Sequence, residues 1–570
     1  MDNLRLSWLL EEAAALMEIK GENPFKVRAF QNGARIVAGL PRSFQEMLDD
    51  GELAQTSGIG KGLLGQIKDY AQSGSLNALD ELRQEIPEGV AEFLHIPGVG
   101  PKMARTFYDK LGVTTVADLE DAARARKVRE LKGLGGKTEM SLLRSIERMR
   151  QRSGRTSTAI ARPLANEVKS LLESLSCVET CTIAGSLRRQ SATVKDLDVL
   201  VVSDQPEQVI EVFVALPYVQ EITGQGSTKA SVVFKAGLNG DLRVLTAEQF
   251  ACGLHYFTGS KAHNIRMRQI AKEQGYTLNE YSLTNTQTGQ ETPIGSESDL
   301  FRCLGLAYIE PELREDRGEI EAAQQGTLPQ RLTVEHIQGD LHMHTVYSDG
   351  ANTVAEMAEA ARAMGHKYIA ICDHSRSLKI ANGMSVERLL RQRDEIRQVS
   401  KEMNFPILSG VECDILADGS LDYEDDLLAQ LDIVVASIHS GFQQEEHQLT
   451  QRLIRAIEHP YVHIIGHPTG RMLGQREPYP VDMDAVIAAA KRQKKILEIN
   501  ATPERFDLNE TYAAMCREQG VPVAINTDAH RTEQLRYVES GVAYARRAWL
   551  EPKHVANTWP LEDLLAYIGK

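Results

Sequence analysis

From residue 336 onward the chain repeats one construction seven times: a short apolar run bounded by helical stretches. Six of those runs close on a residue able to bind metal. "VEHIQGDLHMH" ends at His342 and His344, "KYIAICDHS" at His374, "FPILSGVEC" at Glu412, "DIVVASIHS" at His439, "VHIIGHP" at His467 and "VPVAINTDAH" at Asp528 and His530, while "KKILEINA" adds a seventh strand. Apolar throughout, such runs read as strands buried on both faces, which is the habit of parallel sheets. Strands alternating with helices, with chemistry at the strands' C-terminal ends, predict an α/β barrel, here a distorted seven-stranded one over 336–570.

With Asp349 in "DLHMHTVYSDG", the convergent ligands number nine: His342, His344, Asp349, His374, Glu412, His439, His467, Asp528 and His530. That is enough for two or three cations, and mixed imidazole and carboxylate suits Zn²⁺, Mn²⁺ or Fe²⁺ alike. His366, His447, His459 and His463 fall away from the strand ends and are read as ordinary polar residues. Asp373 and Glu498 are candidates for orienting the ligands, and Arg471 in "GHPTGRM" for holding a phosphate.

A chain of 570 residues is too long for one core, so several modules precede this barrel. With 42% apolar residues and no run near the ~20 needed to cross a bilayer, no membrane span is expected. The N-terminal "MDNLRLSWLLEEAAALMEIKG" reads as an amphipathic helix and not as a signal peptide. Seven scattered cysteines fit reduced thiols, and so a cytoplasmic protein. The net charge of −15 conceals one basic segment, residues 95–155, with 14 Lys and Arg against 7 Asp and Glu.

Around and in that segment a Gly-apolar-Gly turn before a helical run occurs three times: Gly58, Gly60 and Lys61; Gly98, Gly100 and Lys102; Gly133, Gly135 and Lys137. Glycine permits positive φ and close backbone approach, and the free N–H groups of the following helix favour an anion. The pattern resembles the helix-hairpin-helix motif, which holds DNA by its phosphates without reading sequence.

"IAGSLRRQSATVKDLDVLVVSD", residues 183–204, carries a different chemistry. Period-2 alternation puts Asp196 and Asp198 on one face of a strand, where cations must neutralise them, and Mg²⁺ or Mn²⁺ suits hard oxygen ligands. Asp241 in "NGDLRVL" would complete a two-metal clamp for phosphoryl transfer. The tight turn at Gly185-Ser186 and the donors Arg188 and Arg189 suit a triphosphate.

The order of these motifs, followed by "YFTGSKAHNIRMR" (256–268) and "TLNEYSL" (277–283), resembles a family X DNA polymerase, the group that includes polymerase beta. The second half resembles the polymerase and histidinol phosphatase (PHP) domain of metal-dependent phosphoesterases. The resemblance implies that Asp196, Asp198 and Asp241 hold the catalytic metals, Ser186 and Arg189 the incoming triphosphate, Tyr256, Phe257 and Gly259 the sugar, and that Asn264 and Arg268 meet base and template. It divides the chain into an N-terminal helical domain (1–94), a helix-hairpin-helix fingers region (95–155), an α+β nucleotidyltransferase palm (156–245), a thumb (246–315), a linker (316–335) and the barrel (336–570). Gapped or nicked double-stranded DNA and dNTPs become the expected partners, and a monomer the expected state. The implied activity is gap filling in repair, with a 3′-to-5′ exonuclease and abasic-site nicking from the barrel.

Two positions depart from the family pattern. Gln66 occupies the place of polymerase beta's Schiff-base lysine and cannot form an imine, which argues against a deoxyribose-phosphate lyase; Lys61 and Lys68 nearby read as phosphate contacts or solvated side chains. Lys195 stands where polymerase beta has glycine. A small-molecule phosphatase on a DNA-binding chassis and a non-catalytic DNA-end scaffold stay open as alternatives.

Overall fold

A computed structural model describes residues 3–570 other than 39, 41, 57, 74, 97, 153 and 154. Two compact units divide the chain, Met1–Ser153 and Gly154–Lys570.

The first unit is helical. Its main helices span Asn3–Lys20, Pro24–Ala38, Lys61–Ser73, Asn77–Glu85, Pro101–Leu111, Val116–Arg124 and Gly136–Arg152. One apolar core runs through both the 1–94 and the 95–155 segments, from Leu6 and Phe30 through Phe93 and Phe107 to Ile146. The three expected turns are all present: Gly58, Gly98 and Gly133 have φ of 91°, 88° and 86°, a region closed to most side chains. Ile59 and Val99, between the paired glycines, drop into the core and so fix the turn beneath the next helix. Ser57 and Pro97, which precede the first two turns, lie outside the described residues. Gln66 has a local task, since its Oε1 accepts a hydrogen bond from Ala78 N at 3.0 Å.

In the second unit the palm is a five-stranded sheet of β1 (Thr180–Ile183), β2 (Asp196–Val202), β3 (Val219–Gln225), β4 (Lys229–Phe234) and β5 (Asn239–Leu245). Its order is β1-β2-β5-β4-β3, with β2 and β5 parallel and the other neighbours antiparallel. Helices Ala247–Thr258, Lys261–Glu273 and Glu297–Cys303 and a small antiparallel sheet build the thumb around Met267, Leu300 and Phe301.

The barrel follows as seven parallel strands in sequence order: β6 (Gly339–Met343), β7 (Tyr368–Ile371), β8 (Ile407–Asp414), β9 (Ile433–Ser437), β10 (Ile464–Ile465), β11 (Ile496–Asn500) and β12 (Val523–Asn526). All their residues are buried, as continuous apolar runs require. Closure comes just past the last strand, where Asp528 N donates to His342 O at 3.0 Å and His344 N to Ala529 O at 2.8 Å. Both ends of that seam carry expected ligands, so closing the barrel also assembles the site.

Candidate active sites

Parallel pairing of β2 with β5 sets Asp198 directly beside Asp241, and Asp196 follows on the same face as Asp198. Burial, with the charges of Asp196 and Asp241, pushes the Asp198 carboxyl up to about 7. Ser231 Oγ donates to Asp241 Oδ1 at 2.5 Å and orients it. Gly185 is required here: at φ of 60°, a Cβ on it would lie 2.0 Å from Asp198 Oδ2.

A cleft of about 490 Å³ collects Ser186, Arg189, Asp196, Asp198, Tyr256, Phe257, Gly259, Asn264 and Arg268 around this acidic face. Arg155, Lys195 and Lys261 line it too, and of these Arg155 lies in no motif that could have revealed it. The two adjacent arginines separate. Arg188 turns away to Thr258 Oγ1 (2.5 Å) and Glu297 Oε2 (2.6 Å). Arg189 stays on the cleft, donating through Nη1 to Thr258 O at 2.6 Å and through Nε to Glu315 Oε1 at 3.0 Å. Gly259, at φ of 68°, forms the turn above it. Asn264 commits its amide nitrogen to Tyr256 O at 2.7 Å, so its first role is to hold the aromatic segment.

In the barrel all nine expected ligands converge. Glu412, at the C-terminal end of β8, lies at the centre: His374 Nδ1 and His467 Nε2 approach it to 2.9 Å, His439 Nε2 to 3.3 Å and His342 Nε2 to 3.4 Å. His344 Nε2 lies 3.0 Å from Asp528 Oδ1, and His530 Nε2 3.3 Å from Asp349 Oδ1. Three groups offer donor atoms within 4.8 Å of one another: His344, Asp349, His374 and His530; His342, His344, Glu412 and Asp528; and His374, Glu412 and His439. His344 Nδ1 and His467 Nδ1 are buried without a hydrogen-bond partner, and His374 Nδ1, Glu412 Oε2 and Asp528 Oδ1 meet only one another or an imidazole at ion-pair distance, with no aligned hydrogen bond. Buried polar atoms are normally satisfied, so this donor set fits divalent cations.

The electrostatics agree. Burial works to raise the Glu412 carboxyl, yet His439, His342 and His374 hold it well below the usual range. Burial also opposes charge on His342, yet Glu498, Glu412 and Asp528 lift it well above the ordinary value. Burial and the neighbouring His530 and His374 push His344 down to about 3. Charge of one sign is thus balanced only by crowding the other against it.

Glu498 accepts from or pairs with His342 Nδ1 at 2.7 Å and accepts from His467 N at 2.8 Å, as an orienting residue should. Asp373 accepts from Thr345 N (2.8 Å) and Ser348 N (3.1 Å), and so shapes the loop that presents Asp349. Asp414, which the sequence reading missed, lies 2.5 Å from His439 Nδ1; its only signal was its place two residues beyond Glu412. His366, His459 and His463 stay outside the ligand groups, and His447 is exposed.

Arg471 is engaged elsewhere than on an open phosphate site: Nε donates to Arg505 O at 2.8 Å, and Nη2 reaches Phe506 O and, at 3.1 Å, the Tyr544 hydroxyl. It thereby holds the segment carrying Arg505. Arg505 Nε lies 3.9 Å from Asp528 Oδ2, and its Nη1 is buried without a partner.

Comparison with known proteins gives a consistent picture. Family models match a helix-hairpin-helix domain at residues 1–76, a SAM-like helix-hairpin-helix tandem at 90–148, the DNA polymerase beta thumb at 253–315 and the PHP domain at 340–502. The chain is 43% identical over 565 residues to "DNA polymerase/3'-5' exonuclease PolX" of Bacillus subtilis (strain 168), covering 99% of this chain and 98% of that protein. A "Probable phosphatase" of Thermoanaerobacter sp. (strain X514) is 32% identical over 230 residues, 38% of this chain and 89% of its own length. Another, from Caldanaerobacter subterraneus subsp. tengcongensis, is 35% identical over 202 residues, 34% of this chain and 75% of its own length.

Proposed function

Because the chain belongs to the PolX family of DNA polymerase/3′-5′ exonucleases, we propose that its two sites act on one DNA, the palm filling short gaps and the barrel trimming the 3′ end. The protein is a DNA polymerase with exonuclease activity. Gapped or nicked duplex and dNTPs are its substrates in repair, and abasic sites are a further target of the barrel.

One observation carries the reading: Asp196 and Asp198, the latter paired with Asp241 across parallel strands, share a cleft with a phosphate-binding turn, while a second, nine-ligand site lies in the other half of the same compact unit. Asp196, Asp198 and Asp241 hold Mg²⁺ or Mn²⁺, and the barrel ligands hold two or three Zn²⁺, Mn²⁺ or Fe²⁺. When bound, these cations supply Lewis acidity and charge neutralisation at phosphoryl oxygens. The chain's own residues do the rest. Ser186 and Arg189 bind the triphosphate, where charge spreads over phosphoryl oxygens. The turn at Gly259, with Tyr256 and Phe257, would meet the sugar of a bound nucleotide and exclude a 2′-hydroxyl. Asn264 and Arg268 border base and template. In the barrel, Arg505 binds the scissile phosphate, and Glu498 and Asp414 keep His342 and His439 oriented.

A phosphatase specific for small molecules draws support only from relatives that match the barrel, and it leaves the palm cleft without a task. The test is the intact protein on a one-nucleotide gap, with and without dNTPs and Mn²⁺. Extension by one nucleotide with dNTPs and 3′ shortening without them are expected. Neither reaction, with release of phosphate from small monoesters, would favour the phosphatase.

A further inference from the structure

The nucleotide cleft of the palm is held from behind by a side chain of the nuclease barrel. Helix Tyr537–Arg547 ends in two arginines. Arg547, 5% exposed at its side chain, donates through Nη1 to the backbone oxygen of Arg189 at 2.6 Å and to Glu315 Oε1 at 2.9 Å. Arg189 Nε donates to that same carboxylate oxygen at 3.0 Å. Two guanidinium groups therefore share one carboxylate, and the barrel grips both the main chain and, through Glu315, the side chain of Arg189. On its far side Arg547 faces Glu510 at 3.3 Å, so its buried charge is matched within the barrel as well.

The same strap serves the sugar turn. Arg546 Nε donates to Glu312 Oε1 at 3.0 Å, which pins the segment Pro311–Leu313, and the next residue accepts from the turn: Ser260 N donates to Arg314 O at 3.0 Å. Arg189 Nη1 in turn holds Thr258 O at 2.6 Å. Backbone and side chain of the cleft's phosphate arginine and the turn beside it are thus referred to one helix of the other catalytic half.

We propose that Arg547 is a positioning residue for nucleotide binding by the polymerase, acting through Glu315 on Arg189. The inference rests on the reading of Arg189 as a triphosphate ligand. A guanidinium already fixed by two acceptors loses little freedom when phosphate arrives, and a small displacement of it is costly. A lysine offers a point charge in place of the planar fork and restores only part of the geometry.

The experiment measures single-nucleotide incorporation into gapped duplex by the full-length protein. Arg547→Met should raise KM for dNTP by about 10-fold with kcat within about 3-fold, Arg547→Lys should fall between it and wild type, and exonuclease rate should hold within about 2-fold. In a double-mutant cycle, Arg547→Met should add little to the KM of Arg189→Ala, since both act at one point. A merely structural role would lower the melting temperature and both activities together. An unchanged KM in Arg547→Met beside a raised KM in Arg189→Ala would overturn the inference, as would full additivity. An unchanged KM in Arg189→Ala would remove the triphosphate reading itself, and that outcome is distinct. If Arg547→Met does not fold, Glu315→Gln removes the shared charge at nearly constant volume and must show the same rise in KM.

Discussion

Asp198 shows how one carboxyl links burial to catalysis. Its ordinary value of 3.8 rises to about 7 because burial and two acidic neighbours disfavour its charge. Between those values the metal-free folded protein holds a proton there that the unfolded chain does not, so this group makes stability fall as pH rises, until the carboxyl is fully ionised above about 7. A cation reverses the balance and must displace that proton when it binds at lower pH. The Mg²⁺ needed for half-maximal incorporation should therefore decrease as pH rises through about 7, whereas an Mg²⁺ requirement independent of pH would mean that Asp198 is ionised throughout. Gly185 is a second test at this scale. With Asp198 Oδ2 2.0 Å from where a Cβ would sit, Gly185→Ala should displace the carboxylate and cut incorporation by about 100-fold while exonuclease activity continues. Parallel loss of both activities would show that the substitution unfolds the chain.

Strands of the barrel were legible because each is apolar on both faces and six of the seven lead to a ligand; even β10, reduced to Ile464–Ile465, carries His467 just beyond its end. Acidic alternation on β2 was equally plain. What stayed hidden is pairing between distant elements: Glu315 and Arg547 are 232 positions apart, and no local period reports such a contact. Arg471 misled for a related reason, since the acceptors that engage it are mainly backbone carbonyls, which side-chain patterns do not display. At the seam, His342 lies in β6 and His344 just beyond it, where main-chain hydrogen bonds with Asp528 and Ala529, and not the imidazoles, close the barrel. His342→Ala with His344→Ala should therefore leave the fold, lower bound metal, abolish exonuclease activity and keep gap filling within a few-fold of wild type. Elemental analysis beside both assays on one labelled gapped substrate decides it: undiminished degradation with less metal would move the nuclease to another site.

For the whole molecule, we propose that the hairpin turns of the helical unit hold the DNA on which the second unit acts. A protein of net charge −15 repels a polyanion on average, so its grip must be local, and the helical unit supplies three turns of matching geometry with Lys61, Lys102 and Lys137 beside them. Lys102 is 91% exposed at its side chain, and its one ion pair, to Glu18 at 4.0 Å, is long enough for a phosphate to displace. Contacts of this kind release condensed counterions and carry no base information. Replacing all three lysines by glutamine in the full-length protein keeps the glycines and the core of Ile59 and Val99, so the turns should persist. Affinity for gapped duplex should then fall by a similar factor for every sequence tried, and the slope of log affinity against log salt should flatten by roughly 0.9 for each phosphate no longer neutralised, about 2.7 for three. Both exonuclease and gap filling should recover at high DNA concentration, because neither catalytic site has been altered. A salt slope equal to that of wild type would mean that the hairpins do not carry the phosphate contacts, and a weakening confined to particular sequences would mean that they read bases.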